Sequence, residues 1–181
     1  AEQLIVIQSR IDSAKELLKS NDVRKCRDQS SELNGLHGLC RERLMVDDMH
    51  FLLSTDTYQG QAAAKLLKEY LERQGVSSVH IEVPNQLSTR SQAHFTAGIR
   101  DLIRFCESTF GECRKARTPV LFNLVGSFKS LQGYLNTIGM FYADEILYIF
   151  EDTAAELIRI PRLPIKLDLS VLQANSARFA M

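Results

Sequence analysis

The sequence predicts an α/β fold: a doubly wound, mostly parallel sheet flanked by helices, in one domain spanning residues 1–181. Three observations predict it. Residues 119–151 read as strand, glycine turn, helix, strand. Residues 49–83 repeat that alternation. The composition, 45% hydrophobic and 24% charged over 181 residues, is that of a globular chain long enough for a real core. Strands alternating with helices are the pattern of βαβ units on a parallel sheet.

The 119–151 unit is the sharpest. Val120-Leu121-Phe122-Asn123-Leu124-Val125 is an apolar, β-rich run that reads as a strand buried on both faces. It breaks at Gly126-Ser127, where backbone can turn sharply and approach a ligand. Phe128 and Lys129 follow, then Leu131, Tyr134, Leu135, Ile138 and Phe141 at helical spacing. Ile146 to Phe150 is a second strand, closing on Glu151. In open sheets of this class ligands sit beyond the carboxyl ends of the strands. Gly126, Ser127 and Lys129 fall there, and helix amides with a lysine suit an anion such as a phosphodiester. A lysine at a helix N-terminus is electrostatically disfavoured, which points to a functional reason for Lys129.

Taken in order, residues 3–9 admit two readings. Leu4, Ile7, Ile11, Ala14 and Leu18 keep the 3-4 spacing of one amphipathic helix. Leu-Ile-Val-Ile is β-rich, however, and Ser13-Ala-Lys-Glu16 is a capping box that would start a helix near Ala14. A doubly wound sheet needs a first strand, and no other upstream segment offers one, so the strand is favoured. Residues 1–22 are then first strand and helix, or a linker helix. Asn21-Asp22 marks a break, and a helix is expected from about Val23 to Leu44.

Residues 49–55 make the next strand. Asp56 or Thr57 can cap the helix that follows, and Gly75 ends it. Ser78 to Val83 reads as a strand, and Ser91 to Lys115 as a long helix. Gln86 to Thr89 reads as an exposed loop. After Glu151 come a short helical turn at Thr153–Glu156, an edge strand at Leu157–Ile160 ahead of Pro161 and Pro164, and a tail over residues 170–181.

Charge and cysteine content exclude several functions. Lysine plus arginine equals aspartate plus glutamate at 22 each, so a generic DNA or RNA binder is not expected. Four cysteines without CxxC spacing, and four histidines without a ligand pattern, argue for reduced thiols and no metal centre. No apolar run approaches the roughly 20 residues of a membrane span. A dinucleotide-dependent oxidoreductase would need GxGxxG after its first strand, which is missing.

A resemblance gathers these features. Asn123-Leu-Val-Gly-Ser-Phe-Lys129 resembles the Asn-x-Thr-Gly-Gly-Phe-Lys turn of CRISPR-associated Rossmann-fold (CARF) domains. Leu53-Ser-Thr-Asp-Thr-Tyr-Gln-Gly60 resembles that family's Ser-Asp-Thr-x-x-Gly motif, and Ser31-Glu-Leu-Asn-Gly-Leu36 its Ala-Glu-x-Asn-Ser-Leu helix. Phe95-x-x-Gly98, Tyr148-x-x-Glu151 and Pro161-x-Leu-Pro164 follow in family order, so the likeness spans about Ser31 to Pro164. Val125 and Ser127 depart from it, standing where the family has Thr and Gly. Gln8-Ser9-Arg10 stands where the first-strand loop has Gly-Thr-Ser.

The resemblance implies a Rossmann-like homodimer, or higher oligomer, that binds a cyclic oligoadenylate across its two-fold axis, most often cyclic tetra-adenylate. It implies a cytoplasmic sensor signalling to an effector outside this chain. Membrane contact would come only through a segment beyond it, such as a transmembrane helix placed before the domain. Ring cleavage is the alternative, a metal-independent reaction in which the ribose 2′-hydroxyl is the nucleophile. The altered turn weighs against it. No cofactor is expected. The ligand-facing set is Ser9, Arg10, Ser54, Thr55, Thr57, Asn123, Gly126, Ser127, Phe128 and Lys129, with no catalytic or metal residue.

Overall fold

The computed structural model describes residues 2–20, 22–41, 43–88, 91–126, 129–149, 156–165 and 170; the side chains of residues 2–4, 129 and 130 are outside that description. The chain runs α1 (Glu2–Leu18), α2 (Val23–Gln29), α3 (Ser31–Leu39), β1 (Met49–Leu53), α4 (Tyr58–Arg73), β2 (Ser78–Glu82), α5 (Gln92–Lys115), β3 (Leu121–Asn123), α6 (Lys129–Tyr142), β4 (Glu145–Ile149) and β5 (Leu157–Pro161). From β1 to β4, and at β5, the expected strands and helices are present within a few residues of their expected bounds. The strand end at Phe150, Glu151, the turn at 153–155 and the tail beyond Ser170 lie outside the described residues.

The strands form two small sheets. In one, β1 and β2 are parallel, from Met49 opposite Ser78 to Leu53 opposite Glu82. In the other, β3 is parallel to β4, Leu121 opposite Glu145, and β5 is antiparallel to β4, Ile149 opposite Leu157. Both parallel pairs are joined by a helix, α4 and α6, as such connections require. Among the described residues no hydrogen-bonded ladder joins β1 to β3. Of the expected fold, the described residues show the α/β class: helices flanking two small sheets, each with a parallel pair. β3 is not buried on both faces, since Leu121 is exposed while Val120 and Leu124 flank it in the core.

Helices cover both faces of β1. Phe51 and Leu53 face a cluster built by α5, α6 and β4, including Leu102, Cys106, Phe110, Leu135 and Ile146. Leu52, on the other face, meets a second cluster from α1 to α4, with Leu18, Cys26, Leu33, Tyr70 and Leu71. This is the period-2 alternation of a strand covered on each side. The first cluster also spans the two sheets. Phe51 of β1 lies edge-to-face on Phe110 of α5 at 5.9 Å between centroids, and Phe110 on Phe122 of β3 at 5.5 Å. Burial pushes the Cys106 thiol up to about 12, so it stays protonated in this core.

The N-terminal strand is overturned. Residues 2–18 are one helix. Ile7, Ile11 and Ala14 are half-buried and Leu18 is buried, so the 3-4 stripe outweighs the β-rich tetrad. Ser13 does not cap; its hydroxyl donates to the Ser9 carbonyl at 2.9 Å, as serine does inside a helix. The expected helix from Val23 to Leu44 is also two helices. Asp22 caps α2, accepting from the Arg24 amide at 3.0 Å. Ser30, extended at φ −145° and ψ 121°, ends α2 and caps α3 by accepting from the Leu33 amide at 3.3 Å.

Candidate functional site

Two turns at the carboxyl ends of β1 and β3 carry most of the candidate residues. The first is built from hydroxyls. Ser54 extends the β1–β2 ladder, its amide donating to the Glu82 carbonyl at 2.8 Å. Its own hydroxyl is buried and donates to the Thr55 carbonyl at 2.9 Å. Thr55 Oγ1 and Thr57 Oγ1 share a hydrogen bond at 2.9 Å. Thr57 caps α4, accepting from the Gly60 amide at 3.1 Å. Gly60 is required by this packing, because a Cβ there would fall inside 3.0 Å of Thr55 Oγ1. The Asp56 amide donates to the Leu87 carbonyl at 2.8 Å, which folds the β2–α5 loop onto the same turn. Leu87 and Ser88 are therefore buried, and the exposed loop expected over 86–89 is exposed at Gln86.

The second turn leaves β3 at Asn123. Its Oδ1 accepts from the Val125 amide at 3.3 Å, bending the chain toward Gly126. Gly126 has φ +89°, a conformation that only glycine adopts without strain. α6 starts at Lys129, three residues after Gly126. Ser127 and Phe128 lie outside the described residues, as does the Lys129 side chain.

The first turn of α3 presses on this turn. Asn123 Nδ2 donates to the Glu32 carbonyl at 2.8 Å, across 91 residues. A Cβ on Gly126 would lie 2.8 Å from Glu32 Oε1 and 2.9 Å from Ser31 Cβ. The first turn of α3 thus sits directly on the β3–α6 turn. Its residues, Ser31 to Leu36, were singled out by their motif, and the order of the motifs was the available signal. Their place at the turn was not.

Ser9 and Arg10 are brought in differently from expected. With no N-terminal strand they follow no strand end; both are exposed on α1. The helix does reach the first turn, however: Tyr58 at the start of α4 donates its hydroxyl to Gln8 Oε1 at 2.6 Å.

Chemically, the two turns offer what an anionic, hydroxyl-bearing ligand can use: half-buried threonine hydroxyls, backbone of positive φ and a helix start. Among the described residues no group of three or more histidine, cysteine or acidic side chains is arranged to hold a metal. No helix of the described residues is long and apolar enough to cross a membrane.

No curated protein matches this sequence. A family model described as CRISPR-associated protein (Cas_APE2256) matches residues 27–163, from within α2 to just past β5. That span holds both turns and the α3 segment that packs on the second, and it covers most of the chain. The chain belongs to the Cas_APE2256 family of CRISPR-associated proteins.

Proposed function

We propose that this chain is a CARF-type sensor domain that binds a cyclic oligoadenylate, cyclic tetra-adenylate in the first instance, and passes the signal to an effector outside the chain. The observation that carries the reading is the β3–α6 turn: Asn123 closing on Val125, Gly126 at φ +89°, and a helix opening at Lys129. Backbone of this kind at a helix start is a recurring way to hold phosphate. Membership in a CRISPR-associated family supports the ligand class.

In this reading Lys129 contacts a ring phosphate, Gly126, Ser127 and Phe128 shape the cradle, and Ser54, Thr55, Thr57 and Asn123 lie along the ring. Ser9 and Arg10 stay only as neighbours on α1. A ring with even symmetry fits a homodimer whose two-fold axis passes near Gly126 and Lys129. The sheets are read as halves of one doubly wound Rossmann-like sheet, with β1 beside β3. Their shared Phe51–Phe110–Phe122 core supports that order.

Lys129→Ala is the test. A charge-assisted hydrogen bond to phosphate is worth about 1.5–3 kcal/mol, or roughly 10- to 150-fold in affinity. Calorimetric titration with cyclic tetra-adenylate should show a loss of at least that size, because a symmetric dimer loses two contacts. Thermal melting should be unchanged, and Lys129→Arg should recover part of the affinity. Unaltered binding by Lys129→Ala would remove this site. Chromatography of the ring after incubation should return it intact; rapid linearisation would make the domain a ring nuclease instead.

A further inference from the structure

A site made of backbone amides, hydroxyls and a lysine holds phosphodiesters but does not choose among them. Choice needs an acceptor facing the ligand's own donors. One carboxylate stands at the β3–α6 turn. Glu32 Oε1 is so close to Gly126 that a Cβ there would lie 2.8 Å from it. Its other oxygen, Oε2, accepts from the Ser30 hydroxyl at 2.8 Å. Among the described residues no hydrogen bond reaches Oε1.

Glu32 is exposed, and its backbone is tied to the turn. Asn123 Nδ2 holds the Glu32 carbonyl at 2.8 Å, and Ser30 caps the same helix turn. A Cβ on Gly35 would overlap Asn123, so α3 and the β3 end are in close contact one turn further along. The backbone that carries Glu32 is therefore fixed to the turn.

A bare phosphate brought against a carboxylate is repelled. A nucleotide differs from a bare phosphate because its ribose carries a donor next to the linkage. The 2′-hydroxyl sits on the carbon adjoining the one that bears the 3′-phosphate, whereas the adenine amine lies at the far edge of the base. A carboxylate beside the phosphate cradle therefore meets the 2′-hydroxyl first, as an acceptor-only group matched to a donor.

We propose that Glu32 is a specificity-determining residue of this site: its carboxylate accepts a hydrogen bond from a ribose 2′-hydroxyl of the bound ring, so the domain selects oligoribonucleotide rings over their deoxy counterparts. The proposal rests on the cyclic oligoadenylate reading above. The role is one of recognition, and no bond is made or broken.

The test is a set of titrations with three rings: cyclic tetra-adenylate, its fully 2′-deoxy analogue and cyclic tetra-inosinate, which lacks the adenine amine. Each is titrated into the parent chain, Glu32→Ala and Glu32→Gln, with thermal melting to show that the variants fold. The parent should prefer the ribo ring to the deoxy ring by roughly 10- to 150-fold or more. Glu32→Ala should lose most of that preference, Glu32→Gln should keep part of it, and the adenine-to-inosine ratio should not move. A parent that binds the ribo ring while Glu32→Ala keeps the full preference overturns the assignment of Glu32 and leaves the sensor reading standing. So does a Glu32→Ala variant that binds both rings more tightly by the same factor, which would mark the carboxylate as merely repulsive. Loss of the inosine ratio instead would give the contact to the amine and overturn the ribose assignment. A parent that binds none of the rings overturns the sensor reading and this proposal together.

Discussion

Tyr70 shows how single residues hold the helical layer. It is fully buried between α2, α3 and α4, and its hydroxyl meets His37 Nε2 at 2.8 Å. The Arg73 guanidinium lies 5.7 Å from its ring centroid, and its Nη2 also donates to the Leu18 carbonyl, tying α4 to the end of α1. Burial pushes the Tyr70 phenol up to about 12, with the neighbouring Cys26 adding to the effect. Tyr70→Phe keeps the ring and removes the hydroxyl. Leaving a buried imidazole nitrogen without that partner should cost about 1–3 kcal/mol at neutral pH, read by urea denaturation. The sign of the alkaline effect follows from the raised pKa. The unfolded phenol ionises near 10 while the folded one holds its proton to about 12. This contribution is present below pH 10 and lost as pH rises toward 12, so the parent should lose stability over that window more steeply than Tyr70→Phe.

At the scale of elements, two serines that look alike in sequence do opposite work. Ser30 sits at an extended break and caps α3; Ser13 sits inside α1 and bonds back to Ser9. Ser30→Ala should therefore cost about 1 kcal/mol. Ser13→Ala should be neutral or slightly stabilising, because alanine is the better helix residue and no cap is lost. Melting of both variants checks this, and a cost at Ser13 matching that at Ser30 would return residues 2–18 to a strand followed by a capped helix. The contrast also shows what was legible. Apolar runs, Thr57 at the start of α4, Ser91 at the start of α5 and Gly75 after α4 are local signals, and the elements they bound are where the sequence places them. The favoured strand does not form: Ile5 and Val6 of the β-rich tetrad are exposed, and the helix packs on α2 and α4 along its 3-4 stripe. The Ser30 break carries no proline or glycine to announce it; a single extended serine ends α2 and caps α3. In the candidate site, the Thr57 cap and the Gly126 turn were legible for the same local reason. The contact of Glu32 with Gly126 was not, since it joins segments some 90 residues apart.

At the scale of the whole molecule, one aromatic core serves two sheets. Phe110 touches Phe51 of β1, Phe105 of its own helix and Phe122 of β3. Phe110→Ala should cost about 3–5 kcal/mol. Because both sheets lean on it, hydrogen exchange should speed up in β1 and β3 together; a loss confined to β3 would mean the sheets are energetically separate. The neutral overall charge is consistent with recognition by a local site instead of a basic surface. The sensor reading makes that site a shared one, since one ring lies across two copies. Stoichiometry is therefore its most direct test. Calorimetric titration of cyclic tetra-adenylate into the purified chain, with light scattering on the same sample, should give one ring per two chains and the mass of a dimer or of a multiple of it. No heat at micromolar concentration, or one ring per chain on a monomer, would contradict it.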